Sequence, residues 1–150
     1  MAHWTERHRS LLAVFIILER ADGKILLTRR AGTGYMDGKL GLPSGHVDGN
    51  EPAEQALVRE AKEEIGVGLA VTDMRHAHTM HRLAETGTHE YIDLFFTTKT
   101  WRGDPAIMEP DKCSELVWAD PQNLPDDMVP AVRAATGRWL AGEAYSGYNF

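Results

Sequence analysis

The chain has 150 residues, 43% hydrophobic and 25% charged, which is ordinary for one globular domain and enough to bury a core. Its formal net charge of −6 excludes a general binder of nucleic-acid polymers, which needs a basic surface, but not a phosphorylated small molecule met by local cations. The single cysteine, Cys113, excludes an intrachain disulfide, and the longest apolar run, Leu11 to Leu18, is too short to span a bilayer and lacks a signal-peptide cleavage pattern. A soluble, cytoplasmic protein with no membrane partner is expected.

Residues 1 to 10 are polar, with Trp4 the one large apolar group. Leu11 to Leu18 and Lys24 to Thr28 read as two strands joined through Ala21-Asp22-Gly23, a hairpin with the Asp-Gly signal. The unbroken apolar character of the first predicts a central strand buried on both faces under helices. Arg29 and Arg30 follow, then a glycine-rich loop from Ala31 to Gly41. The two arginines are either solvated or turned toward a phosphate, which guanidinium groups bind well.

Gly45 to Asn50 is a polar loop, and the pattern beyond it predicts a helix. Pro52 suits the first helical position, and Gly66 stops the helix where a left-handed residue is wanted. Leu57, Val58, Ala61 and Ile65 share the arc that a core would claim. Glu60, Glu63 and Glu64, at i, i+3 and i+4, fall within about 100° of arc beside it. Such a face is either solvated, with Arg59 and Lys62 as ion-pair partners, or the seat of a divalent cation that prefers oxygen.

Leu69 to Met80 and His89 to Lys99 read as strands separated by a polar turn, Arg82 to Thr88. Tyr91, Ile92, Leu94, Phe95 and Phe96 on the second supply core. His76, His78, His81 and His89 gather around this hairpin, but no cysteine or acidic partner has zinc spacing, so a polar cleft or solvent is their expected setting. Trp101 to Cys113 is a long loop, and long loops in compact domains are often functional. Leu116 to Ala119 reads as a short strand and about Pro125 to Ala141 as a second helix. The tail from Gly142, with Tyr145, Tyr148 and Phe150, is expected to fold back or to pack on a second copy, which would make a homodimer.

The segment from Gly45 to Val67 resembles the Nudix box, G-x5-E-x7-R-E-U-x-E-E-x-G-U, with U aliphatic. Gly45, Glu51, Arg59, Glu60, Glu63, Glu64 and Gly66 fill its fixed positions, Val67 its last aliphatic one, and the smaller Ala61 its first. The resemblance implies an α/β fold, a Nudix-type α/β/α sandwich around a mixed β-sheet, with residues 1–150 forming one Nudix domain. It implies hydrolysis of a nucleoside diphosphate linked to another moiety, with Mg2+ or Mn2+ as cofactor. Glu60, Glu63 and Glu64 would hold the ion, joined by the backbone carbonyl of Ser44, which stands where many relatives have glycine. Glu51 and Arg59 would form an ion pair tying loop to helix, with Arg59 also orienting a catalytic glutamate.

Within the family, the proline and tyrosine that mark ADP-ribose and dinucleoside-polyphosphate enzymes are missing at their usual offsets beyond the box. What remains is similar to the short MutT-like nucleoside-triphosphate pyrophosphatases, acting on a (d)NTP or a modified (d)NTP. In that branch Glu109 would add a metal-binding or water-activating carboxylate, with Asp111 and Glu115 as neighbouring rivals. Arg29 and Arg30 would meet phosphates, and His78, Tyr91 and Trp101 would hold the base. The other expectations left standing are a nucleotide-sugar or ADP-ribose hydrolase and, in another class, a non-catalytic nucleotide sensor on the same fold.

Overall fold

The structure is a computed structural model that describes residues 3–150. Its strands are β1 (Leu11–Leu18), β2 (Ile25–Arg30), β3 (Leu40–Gly41), β4 (Ser44–His46), β5 (Arg75–Leu83), β6 (Glu90–Thr98), β7 (Cys113–Ala119) and β8 (Tyr145–Tyr148). Its helices are α1 (Ala53–Ile65) and α2 (Pro130–Leu140). Among the described residues no helix is long and apolar enough to cross a membrane.

Two sheets form. One is mixed and runs β4-β1-β6-β5-β8; the other is antiparallel and runs β3-β2-β7. β1 is buried on both faces, as its apolar run requires, and pairs in parallel with β6 over its whole length. Alternation splits its side chains. Val14, Ile16 and Leu18 pack with Leu57, Ala61 and Ile65 of α1. Ala13, Phe15 and Ile17 pack with Val132 and Ala135 of α2. The two helices therefore cover opposite faces of one strand, which is the α/β sandwich expected.

The expected β1–β2 hairpin is corrected. The turn is tight, with the Arg20 and Lys24 backbones bonded at 2.8 Å, but only a single bridge, Glu19 to Ile25, follows it. The strands then part into different sheets, because β1 spends both its edges on β4 and β6.

Other boundaries shift. Pro52 stands just outside α1 as its cap rather than as its first residue, while Gly66 ends the helix at φ 73° as anticipated. β5 begins six residues later than expected, after a short 3-10 turn at Val71–Asp73, and runs on through Leu83. α2 begins at Pro130 rather than Pro125, β7 begins at Cys113 rather than Leu116, and the tail supplies the edge strand β8.

Candidate active site

The glutamate face of α1 meets the short strand β4 at close range. A Cβ on Gly45 would overlap the Glu60 carboxyl, so this glycine is required for space, not for backbone angle. The Ser44 backbone N–H donates to Glu64 Oε2 at 3.0 Å. Ser44 lies outside the positive-φ region, so its side chain costs nothing there and its carbonyl stays available.

Arg59 organises the rim. It donates to Glu51 Oε1 at 2.7 Å and Glu60 Oε1 at 2.9 Å, and lies 3.3 Å from Asp48 and 3.6 Å from Glu63. Glu51 also accepts the Asp48 N–H at 2.9 Å, so with Arg59 it ties the loop before the helix to its second turn. Glu63 is the exposed member of the set.

The long loop after β6 folds onto the same place. Arg102 and Gly68 exchange backbone bonds, Ala106 N–H donates to Ile65 O at 2.9 Å, and Met108 N–H donates to Glu64 O at 3.2 Å. These use helix-end carbonyls that otherwise lack partners. Glu109 is thereby carried beside Glu60 and Glu64, close enough to oppose the ionisation of both.

Burial pushes the Glu64 carboxyl up to about 7; the Ser44 N–H opposes this, Glu60 and Glu109 reinforce it, and the Arg30 charge offsets part. Burial likewise raises Glu60, against its bond to Arg59. The cluster is a concentration of hard oxygen donors short of positive charge, which a divalent cation would relieve. Among the described residues no three acidic, imidazole or thiol side chains close on one point.

Next to this face opens a cleft of about 370 Å³. Ser44, Gly45 and His46 form its edge toward the glutamates, and Val129, Ala131 and Val132 at the start of α2 form its apolar wall. Arg30, Tyr35, Tyr91, Arg82 and Asp93 also line it. Tyr35 hydrogen-bonds Glu85 at 3.0 Å across the mouth, and burial with that bond pushes its hydroxyl up to about 12. The Arg30 guanidinium lies over the Tyr35 ring at 5.3 Å.

Of the residues expected at the site from sequence, the structure brings together Ser44, Gly45, Glu51, Arg59, Glu60, Glu63, Glu64 and Glu109, with Gly66 ending the helix that carries most of them. Arg30 and Tyr91 face the cleft. Three others are corrected. Arg29 is spent on the fold, bonded to Glu115 at 2.5 Å and to Asp127 and Gly38 O at 2.9 Å. His78 is fully buried between the Glu143 carbonyl and Ser146 Oγ, both at 2.7 Å, and pins the tail to β5. Trp101 stacks on Trp118 against the α1 side of the core, on the face of β1 away from the cleft.

Sequence reading passed over Tyr35, Glu85, Arg82 and Asp93. The last two had a signal: each is a charged residue at a position whose neighbours two residues away, Met80 and Phe95, are core.

The NUDIX domain profile matches residues 9–140, and the chain belongs to the Nudix family. Within it, the chain is a MutT-like hydrolase. It is 29% identical over 119 residues to the 8-oxo-dGTP diphosphatase of Escherichia coli K12, covering 77% of this chain and 88% of that protein. It is 32% identical over 116 residues to a putative 8-oxo-dGTP diphosphatase of Bacillus subtilis, covering 77% and 70%. A MutT Nudix hydrolase from Burkholderia pseudomallei superposes with a TM-score of 0.78 at 28% identity, over 87% of this chain and 98% of that one.

Proposed function

We propose that this enzyme hydrolyses a nucleoside triphosphate, ordinary or modified, to the monophosphate and pyrophosphate in the presence of Mg2+ or Mn2+. The observation that carries this is the carboxylate cluster of Glu60, Glu63, Glu64 and Glu109 at the edge of a cleft walled by apolar and aromatic side chains. The polar end suits a polyphosphate and the apolar end a nucleoside.

Glu60, Glu63, Glu64 and the Ser44 carbonyl are the groups that would hold the cation. When bound, it would offset charge on the phosphoryl oxygens and lower the pKa of the attacking water. Arg59 holds Glu60 in place through a charged hydrogen bond and acts by orientation. Arg30, between the glutamates and the cleft, meets phosphate oxygens. Glu109 or a glutamate of α1 takes the proton of the attacking water, whose oxygen bonds to phosphorus as the P–O bond to pyrophosphate breaks. Tyr91 offers a ring face to the base.

The experiment is release of pyrophosphate and phosphate from a nucleotide panel with Mg2+ or Mn2+, alongside Glu63→Gln. Pyrophosphate from a triphosphate, lost in the variant, supports the reading. Turnover confined to a nucleotide sugar or ADP-ribose would move the substrate, and tight nucleotide binding without turnover would make the protein a sensor.

A further inference from the structure

Along the inner face of the mixed sheet, β5 presents His78, Met80 and Arg82, and β6 presents Tyr91, Asp93 and Phe95. α2 covers the Met80–Phe95 end of this face. The next layer, where the cleft opens, is an ion pair instead of apolar packing. Arg82 Nε donates to Asp93 Oδ2 at 2.7 Å, and the guanidinium lies 4.2 Å from the Tyr91 ring centroid. Both residues are buried, Asp93 to 1% exposure.

A buried ion pair is poor value for stability, since well-packed apolar residues serve as well or better. Its place on the wall of a ligand-sized cleft calls for another explanation. Its hydrogen bonding is incomplete in a specific way. Asp93 Oδ1 accepts only a long 3.4 Å bond from Arg82 Nη2, and Arg82 Nη1 makes no hydrogen bond among the described residues. Among the described residues no side-chain N or O is both sealed from solvent and unpaired, so Arg82 Nη1 reaches the cleft that both residues line. The wall thus offers one acceptor that cannot donate beside one donor that cannot accept.

We propose that Arg82 and Asp93 read the base. They select a nucleobase that carries an exocyclic amino group beside a ring acceptor or carbonyl, and they reject the counterpart in which an oxo group replaces the amino. Asp93 accepts from the amino group and Arg82 donates to the neighbouring acceptor. An oxo group in that position sets a lone pair against the carboxylate. This rests on the ligand being a nucleotide, and it names a preference that the phosphate-handling residues of α1 cannot supply.

The test uses nucleoside monophosphates, which occupy the cleft without being hydrolysed by the proposed reaction. Calorimetric titration of the full-length protein compares pairs that differ at one substituent, CMP with UMP and AMP with IMP. The amino member of at least one pair is expected to bind about tenfold tighter, the scale of a good base-edge contact. In Asp93→Asn, whose amide both donates and accepts, the preference is expected to fall to about threefold or less.

Because that variant leaves Arg82 without its counter-charge, the double variant Arg82→Gln/Asp93→Asn, with no net buried charge, is measured beside it. Equal binding of amino and oxo members by the wild type would overturn the proposal without any variant. So would a preference that survives in a folded variant, or no monophosphate binding at millimolar concentration. Base-selective binding with no triphosphate hydrolysed would remove the pyrophosphatase reading and keep this one.

Discussion

Arg59 and Arg82 are both guanidinium groups held by carboxylates, and they do different things because of where they stand. Arg59 lies on the rim, about a third exposed, shared among Asp48, Glu51, Glu60 and Glu63. Arg82 lies under the cleft with one partner, Asp93, and almost no solvent. In the first cluster water screens every pair, so its value lies in where it points Glu60. In the second, each charge depends on the other, and losing one leaves the other stranded in a medium of low dielectric. Equal chemistry therefore separates into an orienting device and a recognition device.

The largest effect should come from the carboxylate face of α1 beside Arg59. Glu64→Gln keeps the acceptor for the Ser44 N–H but removes a charge from the cluster. It should lower kcat for pyrophosphate release by about 10²–10⁴-fold, the scale of a lost acid–base or electrostatic group. A loss under tenfold in a stopped assay would move the chemistry away from this helix.

Next is the buried pair. Arg82→Met should cost about 3–5 kcal/mol in urea unfolding, because it strands Asp93. Adding Asp93→Leu should restore most of that. If the single and double variants were equally unstable, packing rather than charge would be the cause.

A further contrast lies in pH. Glu64 binds its proton more tightly in the folded metal-free protein, up to about 7, than the ordinary carboxylate value of 4.5. The folded state then holds more protons than the unfolded one between those values, so stability declines as pH rises from about 4.5 to 7. The Tm in a chelator should fall across that window, and Glu64→Gln or added Mg2+ should flatten the fall. A Tm rising through the window, or a slope unchanged in Glu64→Gln, would exclude Glu64 as the group responsible.

The smallest stability effect belongs to Arg59→Ala, at about 1 kcal/mol or less. Its kcat should nevertheless fall about tenfold as Glu60 loses its anchor, since small misplacements of a positioned group are costly. Equal losses of stability and activity would make Arg59 a structural residue only.

The chain by itself determined whatever is local in sequence. The helix, its stop at Gly66 and the carboxylate face all lie within Gly45 to Val67, where spacing sets geometry, while the Glu51–Arg59 tie came from the resemblance to the Nudix box. The unbroken apolar run of β1 likewise foretold burial on both sides, because no other setting tolerates it. Only the tertiary structure decided what depends on distant segments meeting. Arg82 meets Asp93 because β5 and β6 pair in one particular register, with a shift between His76 and His78 along the way. Glu109 reaches α1 because a loop satisfies helix-end carbonyls. Arg29 and Arg30 are neighbours in sequence on different sides of β2, the first bonded to Glu115 and Asp127 and the second lining the cleft while held by Tyr35 O and Thr33 Oγ1. Adjacent strand residues alternate, and only the finished sheet decides which side holds the cleft.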